Sequence, residues 1–355
     1  MDKIKAFLRK KNIVFSAKRY GIDALGAMAQ GLFASLLIGT IIKTIGTQAG
    51  IEFLVTIGTY AMAAAGPAMA VSIGYALQCP TLVLFSLAGV GVAANASEIS
   101  GAGGPLVVLI DTIFASEFGK LVYKETKIDI IVTPFVTIFV GVGLALWWGP
   151  AIGFVATEFG KLIMLATTLH PFLMGIVVSV LVGIALTLPI SSAAICAALS
   201  LTGLAGGAAV AGCCAQMVGF AVLSFKENKW GGLLAQGIGT SMLQMGNIVK
   251  KPVVWLPAII TSAITGPIAT CVFKLQMNGA AISSGMGTCG LVGQIGVYTG
   301  WVSDIAEGLK ASITAMDVIG LILISFVLPA VLTWVIGLGF RKAGLIKDGD
   351  LKLDL

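Results

Sequence analysis

A polar turn carrying Asn247, Lys250 and Lys251 opens the largely apolar, proline-punctuated stretch 246–273, GNIVKKPVVWLPAIITSAITGPIATCVF. An amide and two ammonium groups can donate hydrogen bonds to a solute, and the lysines can meet negative charge. Pro252 follows Lys251 directly, and a proline stiffens the chain while pushing its predecessor away from helical geometry. Lys251 is therefore expected in extended backbone. In a bilayer such backbone is tolerated only where protein or a water-filled cavity satisfies it, which is how transporters build binding sites from broken helices. The competing reading is a basic loop on the cytoplasmic face.

A second set of candidates lies elsewhere. His170, just before Pro171, can both donate and accept hydrogen bonds and suits a hydroxyl-rich ligand, or it caps a helix at the interface. Ser283 and Ser284 sit in the glycine-rich element 278–300, NGAAISSGMGTCGLVGQIGVYTG, too flexible for a uniform lipid-facing helix. Glu98 sits in the polar link 95–104, NASEISGAGG, read either as part of a re-entrant element or as a solvated carboxylate in a short external loop. Asp111 and Asp317 are single acids at apolar positions, to be buried, paired or interfacial. An ion-coupled carrier would need such acids.

Enzyme chemistry has little to stand on. The chain has one histidine, and no GxSxG, HExxH or GxxxxGK[ST] motif. Its glycine-rich stretches lie in hydrophobic sequence rather than after a strand of a βαβ unit. No catalytic residue, metal site or cofactor is expected. The six cysteines have neither metal-ligand spacing nor histidine neighbours and read as small buried hydrophobes.

The elements that must hold these residues are membrane helices. Of 355 residues, 57% are hydrophobic and 11% charged, with mean hydropathy +1.02, more apolar than any soluble core requires. The net charge of +6 comes from lysines and arginines beside hydrophobic runs, a positive-inside pattern rather than a nucleic-acid surface. No removable signal peptide is read at the N-terminus.

The expected organisation is an all-α polytopic membrane protein in five parts. Residues 1–20 form a basic amphipathic helix on the cytoplasmic surface. A first membrane half spans 21–149, with spans at 24–42, 53–77, 81–94, 105–118 and 128–148, the third and fourth shorter than the ~20 residues of a full crossing. An amphipathic linker helix covers 150–168, a second membrane half covers 169–340, and 341–355 is a basic tail. Both termini are expected in the cytoplasm, hence an even number of crossings. The heptapeptide ASEFGKL at 115–121 recurs as ATEFGKL at 156–162, and places an acid three residues before a lysine on one helix face. Glu117 with Lys120, and Glu158 with Lys161, are candidate intrahelical pairs.

The Lys251-Pro252 turn continuing as PVVWLPAIITSAITGPIATCVF resembles the sugar-permease subunit, enzyme IIC, of bacterial phosphotransferase systems of the glucose superfamily. HPFLMGIVVSVLVGIALTLPISSAAI and GAAISSGMGTCGLVGQIG add a narrower resemblance to the IIC-like branch associated with the perfringolysin O regulator PfoR. The likeness covers most of the second half and is diffuse in the first. It implies about ten transmembrane helices, a homodimer formed through the first half, and a second half with two re-entrant hairpins that carries the sugar and moves as a unit. By position, His170 matches the family's substrate-contacting histidine. Those permeases usually carry a glutamate where this chain has Lys251, a donor with positive charge that favours an anionic solute such as a sugar acid. No fused IIA or IIB segment is read, so a phosphate donor would be a separate IIB protein.

The expected function is thus a permease in the bacterial plasma membrane that moves a carbohydrate or sugar acid by alternating access. Two rivals remain: a membrane-bound regulator with the same fold and no transport, and an ion-coupled secondary carrier using Glu98, Asp111 or Asp317.

Overall fold

The computed structural model describes the backbone of residues 2–353 and the side chains of 6–353. Met1, the side chains of Lys3, Ile4 and Lys5 in the expected surface helix, and the last two residues of the tail lie outside the described residues. The chain divides into two compact units, Met1–Ala156 and Thr157–Leu355.

Unit 1 opens with α1 (Asp2–Lys10). The surface helix expected through residue 20 stops there, because the chain turns through Asn12 at φ 54°. α2 (Arg19–Ala49) ends on Gly50 at φ 67°, the left-handed cap that glycine adopts without Cβ strain. α3 (Glu52–Ala63) and α4 (Ala65–Ala76) meet at a 47° bend. Pro67 follows closely and cannot donate to the carbonyl four residues back, which accounts for the break. α5 (Thr81–Ala94) follows. The polar link expected between half-length spans is instead helical and leads into α6, Ser97–Val122, long enough to cross a membrane.

α7 (Asp129–Thr167) runs 39 residues, about 58 Å at helical rise, well beyond the ~30 Å hydrocarbon core. Segment 150–168, expected as a separate linker helix, is its C-terminal part. Pro150 lies inside the helix and does not end it, and the division between the two units falls within α7, after Ala156.

Unit 2 continues with α8 (Pro171–Thr187), α9 (Ser192–Ala198), α10 (Gly203–Leu223), α11 (Phe225–Leu234), α12 (Met245–Lys250), α13 (Pro252–Val272), α14 (Val292–Ala306) and α15 (Ala315–Lys342). Among the described residues no strand forms beyond one isolated bridge, Gly203 with Met277. The glycine-rich element resolves into short 3-10 turns, Ala281–Gly285 and Cys289–Leu291, before α14.

Among the described residues six helices are long and apolar enough to cross a membrane, or seven where the bent α3–α4 pair counts as one span. α5 and α8 are shorter apolar helices. The chain is therefore an all-helical multi-pass membrane protein, with fewer full-length spans than ten because several apolar elements are bent or short.

α10 is the axis of unit 2, packed by α8, α13 and α15. Its run of small residues permits this. A Cβ on Gly212 would lie 1.8 Å from the Ser179 carbonyl oxygen of α8. Without a hydrophobic effect between helices in lipid, such close backbone approach supplies much of the packing energy.

The repeated heptapeptide forms the expected pair twice, with opposite surroundings. Lys120, 1% exposed, lies 2.8 Å from Glu117, donates to the carbonyls of Asn12 and Leu77, and shares Glu117 with the Tyr20 hydroxyl at 3.0 Å. Glu158 and Lys161 meet at 2.6 Å on an exposed face. Lys120→Met leaves Glu117 as an uncompensated buried charge and is expected to cost about 3–5 kcal/mol, whereas Glu158→Ala costs under about 1 kcal/mol. Thermal unfolding of the purified variants separates the two. Gly212→Ala meets backbone rather than a flexible side chain and is expected at or above the upper end of the ~1–3 kcal/mol seen for overpacking. A wild-type melting temperature for that variant would show that α8 and α10 can separate freely.

Candidate functional site

Unit 2 carries a column of buried polar side chains that begins at the Lys251 turn. Lys251 adopts φ −150° and ψ 85° between α12 and α13, the non-helical geometry that Pro252 imposes on its predecessor. Asn247, one helical turn earlier, is buried and accepts the Lys251 backbone N–H at 2.8 Å. Its side-chain amide donates to Gln244 Oε1 at 2.8 Å, and Gln244 in turn donates to Gln236 Oε1 at 2.9 Å. Gln236 completes the chain by donating to the Ser224 hydroxyl at 2.9 Å.

A second cluster is centred on Gln216, fully buried in α10. Its Oε1 accepts from Trp255 Nε1 at 2.8 Å and from the Thr187 hydroxyl at 3.3 Å, and its Nε2 donates to the Ser262 hydroxyl at 3.3 Å. The Thr187 and Ser241 hydroxyls lie 2.7 Å apart. Buried amides and hydroxyls in a membrane bundle are expensive to keep, and they mark solute pathways when they converge.

The tail after α15 folds back over the turn. Lys251 Nζ lies 2.6 Å from Asp350 Oδ2. The Lys352 carbonyl accepts from Asn247 at 2.9 Å, and the Leu351 carbonyl accepts from Gln244 at 3.1 Å and Asn228 at 2.8 Å. Leu351 and Ile346 are buried and anchor this strap. At its base Arg341 pairs with Glu227 at 2.8 Å and with Asp348 at 3.1 Å. Partial burial pushes the Asp350 carboxyl up, but the hydrogen bond from Lys251, the Lys347 backbone N–H and the two lysine charges outweigh it. Asp350 is held below its ordinary range.

The other expected residues disperse. Lys250 is exposed beside the turn. His170 is exposed at the N-cap of α8 and makes no capping bond. The neighbouring Pro171 carbonyl accepts from Thr270 at 2.8 Å, at the far end of α13 from Lys251, roughly 28 Å away along the helix. His170 and Lys251 therefore do not share one pocket. Ser284 is buried and donates to the Leu201 carbonyl at 2.6 Å, while Ser283 packs under Gly296. Glu98 is exposed in unit 1. Asp111 is buried there and accepts from Trp148 Nε1, with its Oδ2 lacking a partner. Asp317 closes a capping box with Thr314 and pairs with Lys310 at 3.0 Å.

A family model described as Phosphotransferase system, EIIC matches residues 22–353. The chain belongs to the phosphotransferase-system EIIC family. No curated protein and no solved structure matches it. Membership makes the chain a membrane permease of the phosphotransferase type, with a sugar as solute and phosphotransferase proteins as partners in general terms. The polar networks of unit 2 include residues that sequence reasoning passed over. Gln216 was marked only by being an amide in the small-residue run of α10, and Trp255 by lying one turn past Lys251. Asp350 carried no signal, because its partner lies 99 residues away.

A lowered carboxyl contributes stability that is present above its ordinary pKa of about 3.9 and lost as pH falls through the depressed value. Docking of the strap is therefore expected to be unchanged from about pH 8 to about pH 5 and to loosen only in stronger acid. Hydrogen exchange of the 346–353 backbone checks this, and Asp350→Asn should show fast exchange across that whole range.

Proposed function

We propose that the chain translocates a carbohydrate by alternating access, with unit 2 as the solute-carrying half, unit 1 as the homodimer scaffold, and a separate IIB protein as phosphate donor. The observation that carries this reading is the Lys251 turn with its buried amides and strap. Helix breakage exposes backbone groups that a solute can bond, and Asn247 with the glutamine chain offers donors and acceptors suited to hydroxyls.

The solute class follows from Asp350. Lys251 alone favours a sugar acid, but the 2.6 Å pair sets a carboxylate beside the ammonium. The pair can both accept from and donate to hydroxyls while presenting no net charge. Neutral sugars are thus the preferred class while the strap is docked, and sugar acids gain once Asp350 is removed.

The test is thermal stabilisation of the purified protein by neutral sugars, sugar acids and sugar phosphates, since ligand binding to the native state raises apparent stability by mass action. Wild type is expected to respond to a neutral sugar, Lys251→Ala and Asn247→Ala to lose uptake of that sugar by vesicles supplied with IIB, and Asp350→Asn to shift preference toward acids by about tenfold. Full uptake in both Lys251→Ala and Asn247→Ala would remove the turn from the pathway.

A further inference from the structure

We propose a second carbohydrate-binding site in unit 2, in a polar cavity at the opposite end of α13 and α15 from the strap, selective for an uncharged, hydroxyl-rich ring. The cavity has a volume of about 440 Å³, within the ~300–1,000 Å³ range of small-molecule sites. It opens beside Phe273 and Lys274, which directly follow α13, and beside Asp317 in the first turn of α15. Arg341, at the base of the strap, lies in the last turn of the same helix, about 36 Å away by helical rise. The cavity shares no lining residue with the Lys251 turn.

Its lining has the donors and acceptors that hydroxyls require. Asp304 is 8% exposed, and its Oδ2 accepts from Asn278 Nδ2 at 2.8 Å. Among the described residues no donor reaches Asp304 Oδ1 or Asn278 Oδ1, which leaves two acceptor oxygens for a ligand. Gln276 adds a further amide, 3.2 Å from Asn278. Trp301, 3% exposed, packs behind the cavity wall with Lys310 Nζ 5.9 Å from its ring centroid, close enough for its fluorescence to report on a bound ligand. Carboxylate and amide groups beside the apolar side chains of Phe273 and Leu309 match a sugar ring, whose C–H face is apolar and whose rim is polar.

Charge sets the class. The cavity's two lysines, Lys274 and Lys310, balance its two aspartates, Asp304 and Asp317, and Lys310 is already paired with Asp317 at 3.0 Å. No surplus of positive charge is offered to a phosphate or carboxylate, unlike the exposed Lys250 at the other end.

The groups are held in place before any ligand arrives. Asn278 directly follows Met277, which the two-way backbone bridge to Gly203 fixes at 2.9 and 3.0 Å. Gly308, at φ 75°, turns the chain after α14 so that the N–H groups of Leu309 and Lys310 both bond the Asp304 carbonyl, at 2.7 and 3.1 Å. Asp317 is fixed by its capping box. Such locking is what a precise binding site needs. The role of this cavity as a capture point for transport rests on the permease reading, but its occupancy by sugar does not.

The test titrates the full-length protein in detergent with D-glucose, N-acetyl-D-glucosamine and maltose, and with D-gluconate and glucose 6-phosphate, following tryptophan fluorescence and thermal unfolding. A neutral sugar is expected to give a saturable response and the two anions a weaker one. Asp304→Asn should weaken the neutral sugar about tenfold, and Trp301→Phe should remove the fluorescence change while keeping the thermal shift. Gln276→Ala, at an exposed position, should weaken binding while leaving the fold intact, so a result survives if Asp304→Asn misfolds. Asn247→Ala should abolish uptake yet retain this response, which separates the cavity from the transport site. Equal affinity in wild type, Asp304→Asn and Gln276→Ala, or no saturable response to any of the three neutral sugars, overturns the proposal.

Discussion

An ammonium group at a break between two helices of a membrane bundle needs a carboxylate within reach, and in unit 2 that carboxylate comes from the tail. Pro252 removes a backbone donor and forces Lys251 out of helical geometry. The freed polar groups have to be satisfied by protein. Asp350 meets the charge, and the Leu351 and Lys352 carbonyls accept from Gln244 and Asn247. The buried amides at this end of unit 2 depend on that closure, since Gln236, Gln244 and Asn247 form one chain ending on tail carbonyls.

The same constraint organises the depth of the unit. Gln216 lies in a helix otherwise made of small and apolar residues, and four partners surround its side chain or extend its network: Trp255, Thr187, Ser262 and Ser241. They come from α13, α8 and the segment before α12, and they can reach it only because glycines such as Gly212 let backbones touch. Small residues thus do two jobs. They supply packing in a solvent where apolar burial is not a driving force, and they bring short polar side chains within bonding distance.

Unit 1 uses its charges differently. Glu117 and Lys120 are buried and tie α6 to Tyr20, Asn12 and Leu77, a structural rather than a solute-facing arrangement. The second copy of the same heptapeptide, with its exposed Glu158–Lys161 pair, shows that identical local sequence carries a strong or a negligible interaction according to burial alone.

Composition and periodicity were enough to read an all-helical membrane protein, because lipid leaves a helix as nearly the only way to satisfy an apolar segment's backbone. The extended Lys251 was legible from Pro252, and the Glu117–Lys120 and Glu158–Lys161 pairs from their spacing, since both effects act over one helical turn. The separate linker helix expected at 150–168, by contrast, is continuous with α7. Residues that had to be matched across the fold were not legible. His170 and Lys251 are both polar and next to prolines, yet α13 holds them at opposite ends; nothing local in the tail marks Asp350, and it is the partner of Lys251. The sequence by itself determined that the chain is built of apolar helices and where the helix at Lys251 must break. Only the tertiary structure decided which polar groups meet, because that depends on how closely α8, α10 and α13 pack and on where the tail folds back.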